Sequence, residues 1–368
     1  VPVAKMKLSL IVGLIQWTSQ TPASQGRLLF PGFAAIAPLW AIGWMALTPR
    51  WGYLWPGWAL LALAIWTPWA VIAPAYAPPQ SLTTIPTTNI PLETIFDENI
   101  QLLGYEADHS GIQPGQALPL TLYWANQALI ERDYTIFIHL VDEQGFIIAQ
   151  RDLFHGPGVY PTSQWSANEQ FAETYVLNIP HTTFSPTQAH FRVGLYDHQT
   201  GSRLITQTGQ DHRTFGKIAI TTPPEGDTPN PQMLQFEDHI TLIGYTIDQR
   251  TAKIGETVTL TLYWMGDQSP SQNYKVFVHA VADGDIRAAQ HDSDPQGGLA
   301  PTSSWQAGQI ISDEHPLTIN PDTPPGMYRL LVGLYHPETG QRVRLIEQQG
   351  GSVLADSITL SGINIQPD

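Results

Sequence analysis

The chain has 368 residues, enough for two or three domains, and it contains no cysteine. The lack of cysteine excludes thiolate chemistry and cysteine-based zinc sites. All 32 acidic residues follow position 92, whereas the whole chain has 17 Lys and Arg, so the later part is strongly acidic. Because such a surface repels phosphates, we expect no nucleic acid as a partner.

Residues 1–92 form an almost uncharged region that holds eight of the twelve tryptophans. Apolar runs of about 20 residues are long enough to cross a bilayer as helices. We therefore expect a membrane region at 1–78, with spans at about 8–20, 28–47 and 51–77 and the lipid bilayer as partner. The first run is either a full span, a re-entrant piece or the end of a longer helix. The alternative for all of them is a set of buried helices in a soluble domain.

The few cations of this region predict its orientation. Lys5, Lys7 and Arg50 belong on the cytoplasmic side by the positive-inside rule. This places everything after Pro78 outside the cytoplasm, so the expected location is the cell membrane with the later domains on its extracytoplasmic side. Residues 79–92 are rich in Pro and Thr, which predicts an extended tether before the next domain.

An internal repeat with an offset of 140 residues follows the tether. Leu120–Trp124 recurs identically as Leu260–Trp264, and Val193–Tyr196 recurs as Val332–Tyr335 after a one-residue slip. Two related domains are therefore expected at 93–222 and 234–366, joined by a proline-rich linker at 223–233.

Within each repeat the apolar residues alternate with polar ones, as in the run Leu118–Trp124. This period of two is typical of half-buried strands. With turn residues between short strands, it predicts an antiparallel sandwich of the immunoglobulin or fibronectin type. The predicted fold class is thus an α-helical transmembrane segment of two or three helices followed by two all-β sandwiches.

Polar and aromatic residues that recur at equivalent positions are the candidates for a ligand site. They are His139, Asp152 and Trp165 in the first repeat and His279, Asp292 and Trp305 in the second. They either line a sugar or metal site or serve the shared fold, as a bonded strand histidine, a turn carboxylate and a packed tryptophan. The repeats contain no phosphate-binding glycine loop, nucleophile elbow or His-x-x-x-His pair, so we expect no cofactor, no metal and no catalytic residues.

Arg27 is the one charged residue in the segment before the second apolar run. Two readings stay open for it: it neutralises a lipid phosphate, or it is a plain interfacial anchor.

The segment Thr21–Pro31 with the apolar run after it resembles the late transmembrane portion of bacterial dolichyl-phosphate-mannose mannosyltransferase-like enzymes of the GT-C superfamily. The repeat pattern Leu-Gly-Tyr, Leu-Tyr-Trp, Phe-x-His and Pro-Thr-Ser-x-Trp is similar to C-terminal sandwich repeats in some of them. The resemblance implies sugar transfer from a polyprenyl-phosphate donor, with Arg27 near the lipid phosphate.

One departure from that family limits the functional expectation. Residues 1–92 contain no carboxylate, so the family's general base is missing and the chain alone is not expected to turn over substrate. We expect a non-catalytic C-terminal part or split relative of such an enzyme, whose sandwiches bind a glycan or a partner protein. The rival is a structural subunit of a larger membrane complex, with the other subunits as partners, and a third option is an adhesion or surface-layer module.

Overall fold

The computed structural model describes residues 55–75, 77, 79, 81–223, 228–284, 286–346 and 355–367. The chain divides into two units, residues 1–77 with 345–354 and residues 78–344 with 355–368. In the first unit, helix α1 (Trp55–Thr67) is followed by a π-helical turn (Pro68–Ile72) and by the single turn α2 (Ala73–Ala75).

The expected fold class is wrong, and so is the expectation of a membrane region with transmembrane helices. In the part of the chain that the structure describes, 48% of the residues lie in strands, and the helix α1 is short. Among the described residues no helix is both long and apolar enough to span a membrane. The expected spans at 8–20 and 28–47 lie outside the described residues.

The physical reason is visible in the third expected span, 51–77. Within its described part, from Trp55 onward, the α-helix has 13 residues and ends before Pro68, where the hydrogen-bonding pattern changes to the π type. Proline has no backbone N–H to donate and its ring crowds the preceding turn. The absence of charge over 27 positions therefore did not specify an unbroken helix. The extracytoplasmic location derived from these spans stays a prediction.

The second unit contains two sandwiches of consecutive strands. In the first, the sheet orders are β1-β2-β3-β6 and β5-β4-β7-β8, all antiparallel. Its strands are β1 (Ile90–Ile95), β2 (Ile100–Ala107), β3 (Ala117–Asn126), β4 (Tyr134–Asp142), β5 (Ile147–Leu153), β6 (Gln170–Asn178), β7 (Thr187–Asp197) and β8 (Arg213–Ile220).

The second sandwich repeats this arrangement. Strands β15, β12, β10 and β9 are neighbours in one sheet, and β11-β18-β16-β13-β14 form the other. The strands are β9 (Leu234–Phe236), β10 (Ile240–Ile247), β11 (Thr251–Ala252), β12 (Thr257–Gly266), β13 (Lys275–Val281), β14 (Arg287–Ser293), β15 (Ile310–Thr318), β16 (Gly326–Tyr335) and β18 (Ile358–Ile365). The two-residue strand β17 is Leu345–Ile346.

Each core is built from the inward-facing residues of strands along which buried and exposed residues alternate. Along β12 the side chains of Val258, Leu260, Leu262 and Trp264 are all 0% exposed. In the first sandwich, Trp124 of one sheet belongs to the same buried cluster as Ile136 and Phe191 of the other. Burying these apolar faces against each other supplies the main driving force for the fold.

Parts of both predicted linkers are bonded to the sandwiches. The N–H of Leu82 donates to the carbonyl of Gln170 at 2.6 Å. In the second linker, Asn230 is 5% exposed, and its Oδ1 accepts from the N–H of Ser185 while its Nδ2 donates to the carbonyl of Tyr245. Since Ser185 precedes β7 and Tyr245 lies in β10, this asparagine ties the two sandwiches together.

Candidate functional site

The recurring histidines and aspartates lie on neighbouring strands at equivalent places in the two sandwiches. Nε2 of His279 is 2.9 Å from Oδ1 of Asp292, and Nε2 of His139 is 4.0 Å from Oδ1 of Asp152. Desolvation by burial lowers the pKa of each histidine, and the facing aspartate acts in the opposite direction. The structure thus pairs these residues with each other in both repeats.

Each of these histidines lies beside a phenylalanine that is packed between an arginine and a glycine. In the first sandwich Phe137 is 1% exposed, its ring lies 5.1 Å from that of His139, and the Cζ of Arg203 lies 4.6 Å above it. On the next strand, a Cβ at Gly194 would lie 2.6 Å from Cε1 of Phe137. Only glycine leaves room for the ring there.

The second sandwich has the same stack. The Cζ of Arg342 lies 4.6 Å above the Phe277 ring, and a Cβ at Gly333 would lie 2.5 Å from Cζ of that ring. The recurring Phe-x-His and Val-Gly-Leu-Tyr motifs are therefore explained by packing between adjacent strands.

Trp165 and Trp305 lie in the interior, each only 1% exposed. Their indole N–H groups donate to the carbonyls of Tyr160 and Ala300, at 3.2 and 2.9 Å. Neither indole ring is open to a sugar. Arg27, the expected lipid-phosphate residue, lies outside the described residues.

A buried carboxylate that our sequence reasoning missed lies in each sandwich. In the first, Glu173 accepts from the backbone N–H of Gly156 at 2.8 Å and from the hydroxyl of Tyr175 at 2.6 Å. The Nδ1 of His155, which is 0% exposed, is 3.1 Å from the same carboxylate.

In the second sandwich, Asp313 accepts from the N–H of Gln296 at 2.7 Å and lies 2.9 Å from Nε2 of His315. The Nδ1 of His315 is in turn 3.0 Å from the Nδ1 of His291. Both Asp313 and His315 are 0% exposed. Glu173 and Asp313 occupy the same position in the two repeats. Glu173 binds the loop after β5, and Asp313 binds the equivalent loop after β14.

A signal for these carboxylates was present in the sequence. Glu173 and Asp313 occupy the inward phase of β6 and β15, where apolar residues are expected, and they are 140 positions apart. A buried charge at a repeated core position needs bonded partners. Among the described residues, however, no group of three or more His, Cys, Asp or Glu is arranged to hold a metal ion.

The histidines predict how stability depends on pH. Burial is the largest cause that lowers the pKa of His139, His190, His279 and His291 below the ordinary 6.5. In the unfolded chain the pKa of each histidine returns to about 6.5. Between the folded pKa and 6.5 the unfolded chain therefore binds more protons than the folded chain. The stability contributed by the neutral histidines is thus complete above pH 6.5 and falls as pH drops through the folded pKa.

Denaturant titrations should therefore show the free energy of unfolding declining below about pH 6.5. The carboxylates contribute to a separate, lower range: the hydrogen bond from Arg203 holds the pKa of Asp211 below its ordinary 3.8. His279→Gln should flatten the decline. A constant unfolding free energy between pH 7.5 and 5 would contradict this account.

The joint between the sandwiches, formed by the β4–β5 turn and Arg250, is a polar structure that the two repeats do not share. Nη2 of Arg250 is 2.6 Å from Oδ2 of Asp142, and their side chains are only 9% and 3% exposed. Oδ1 of the same aspartate accepts from the N–H groups of Gln144 and Phe146, at 3.0 and 2.8 Å. One carboxylate thus shapes the turn and binds the arginine.

Aromatic and polar contacts surround this ion pair. The Cζ of Arg250 lies 5.1 Å from the centre of the Phe146 ring and 4.7 Å from that of Phe184. The hydroxyl of Thr251 donates to the side-chain Oε1 of Gln144 at 2.7 Å, and the Nδ2 of Asn364 donates to the backbone carbonyl of Gln144 at 3.1 Å. The second sandwich therefore binds the turn of the first from several sides.

A groove runs along this joint. A depression of about 560 Å³ is lined by residues from the first sandwich, among them Glu143, Phe184 and Gln188, and by residues 247–250 of the second. A further depression of about 310 Å³ continues past Glu143 and Gln188 to Lys217. Because the two depressions share Glu143 and Gln188, they adjoin each other and are treated together as one groove. Their volumes lie in the size range of ligand sites at domain interfaces.

The chain matches no protein-family model and no curated protein sequence. The similarity to dolichyl-phosphate-mannose mannosyltransferase-like enzymes therefore stays a prediction.

Proposed function

We propose that the tandem sandwiches form a rigid, non-enzymatic module that binds a glycan or a partner protein. The observation that carries this proposal is the buried Arg250–Asp142 pair, which joins the two sandwiches at 2.6 Å. A buried ion pair with several further hydrogen bonds has strict geometry, so it fixes orientation more than it adds net stability. A fixed orientation keeps a surface made by both sandwiches ready for its ligand.

The hydrogen bonds of the recurring polar residues support the proposal that the module is not an enzyme. His279 is bonded to Asp292, and Thr302 accepts from the N–H of Tyr274 and donates to the carbonyl of Gln272. These groups serve the fold, and an exposed nucleophile with its own base is not among them. A relation to a polyprenyl-phosphate-dependent glycosyltransferase, as its C-terminal part or a split relative, remains a proposal that rests on the sequence resemblance.

Rigidity can be measured by pulsed electron spin resonance between two spin labels. The chain has no cysteine, so Thr174→Cys and Glu314→Cys give unique label sites on exposed, equivalent positions of β6 and β15. We expect one narrow distance distribution in the full chain and a broad one after Arg250→Ala. Arg329→Ala, which removes an exposed ion pair with Asp283 inside the second sandwich, should leave the distribution narrow. A broad distribution in the unmodified chain would refute the rigid module.

A further inference from the structure

The groove along the joint has free polar side chains on its walls. Glu143 is exposed and Gln188 is half-buried, and the side chains of both make no hydrogen bond within the part of the chain that the structure describes. Both residues line the two depressions, so they stand at the middle of the groove. Carboxylate and amide groups without internal partners are available to bond a ligand.

The joint supplies further groups at one end. Gln144, Asp248 and Gln249 line the first depression. The Oδ1 of Asp248 is held by the N–H groups of Gln249 and Thr259 at 2.7 and 2.9 Å, which fixes the direction of this carboxylate. A ligand with closely spaced hydroxyl groups can donate to the carboxylates and exchange hydrogen bonds with the amides.

The charge of the lining selects against anions. Arg250 is neutralised by Asp142 and almost buried, so near the joint the exposed charges are the carboxylates of Glu143 and Asp248. Lys217 lies only in the second depression. An acidic sugar or a phosphate would meet repulsion over most of the groove.

An aromatic ring completes the lining. Phe184 is half-buried, with Arg250 packed over the ring and Tyr245 6.4 Å away. Because the ring is only half-buried, its exposed part offers an apolar surface to the C–H groups of a sugar. Pro186, Ile220 and Ile247 add further apolar surface beside the polar groups of the lining.

We propose that this groove binds a neutral oligosaccharide, with Glu143 and Gln188 as its central hydrogen-bonding residues and Phe184 as its stacking surface. This inference rests on the proposed function, because the groove exists only while the joint holds the two sandwiches in place. The two adjoining depressions give room for a chain of several sugar units, and an extended peptide is the competing occupant.

The test is binding of the full chain to four neutral hexasaccharides, built from glucose, mannose, galactose or N-acetylglucosamine, measured by isothermal titration calorimetry. We expect at least one to bind, and we expect Gln188→Ala and Glu143→Ala each to weaken it about tenfold through loss of hydrogen bonds. Gln150→Ala, an exposed amide on β5 outside the groove lining, should leave affinity unchanged. An acidic hexasaccharide of galacturonate should bind more weakly.

Several results would overturn the inference. These are no binding to any of the four up to millimolar concentration, binding that Gln188→Ala and Glu143→Ala leave unchanged, or tighter binding of the acidic sugar. Selection of an extended peptide from a random library, with loss of binding on Gln188→Ala, would also assign the groove to peptides. The spin-label distances separate the two proposals: a narrow distribution without sugar binding rejects the groove ligand and keeps the rigid module.

Discussion

Arg250→Ala is expected to lower the free energy of unfolding by about 3–5 kcal/mol, because it leaves the charge of Asp142 buried without its partner. That aspartate is 3% exposed, and the arginine also packs over the rings of Phe146 and Phe184. Chemical denaturation followed by tryptophan fluorescence measures the change.

The design of this experiment includes a rescue. Asp142→Asn removes the charge but keeps an oxygen for the N–H groups of Gln144 and Phe146. The double variant Arg250→Ala/Asp142→Asn should therefore be less destabilised than the sum of the single variants, since no buried charge remains. Arg329→Ala breaks a pair whose side chains are 58% and 98% exposed, and it should change stability by less than about 1 kcal/mol. Strict additivity in the double variant would mean that the ion pair is not the source of the effect.

Gly194→Ala is expected to destabilise the first sandwich by about 1–3 kcal/mol through overpacking. The new Cβ would lie 2.6 Å from Cε1 of Phe137 and 2.7 Å from the carbonyl oxygen of Asp211, closer than non-bonded carbon contacts allow. Because the ring is 1% exposed and Arg203 packs over it, it has little freedom to move away. The midpoint of thermal or denaturant unfolding reports the loss.

A second background identifies the cause. In a Phe137→Leu variant the ring is gone, so adding Gly194→Ala should cost less than it does in the unmodified chain. Gln150→Ala, an exposed substitution on strand β5 of the same sheet, should stay within about 0.5 kcal/mol of the original stability. An equal cost of Gly194→Ala in both backgrounds would show that the clash with the Asp211 carbonyl, not the ring, dominates.

The strands could be predicted from the sequence because burial along a strand of a sandwich follows a period of two residues. The run Val258–Trp264 alternates in burial as it does in the sequence, and Leu118–Trp124 does so up to Leu122, after which Tyr123 is buried as well. The apolar stretch at 51–77 misled for a physical reason: a lack of charge reports where a segment avoids water, whereas the length of a helix depends on residues such as Pro68.

The residues of the candidate site could not be predicted from the sequence in the same way. His139 and Asp152 were singled out because they recur, but recurrence also marks residues that the shared fold requires, as the stack of Phe137 on Gly194 shows. The groove combines Gln188 of the first sandwich with Asp248 of the second. These positions have no common pattern in the sequence, and only the packing of one sandwich against the other brings them together.

The joint also gives the tandem a direction. At the offset of the repeat, Asp142 corresponds to Ala282 and Arg250 corresponds to Ser110. The first sandwich therefore supplies the aspartate of the joint and lacks the arginine, whereas the second supplies the arginine and lacks the aspartate. A third copy of either sandwich could not be added by the same contact, and exchanging the order of the two would leave both residues facing outward.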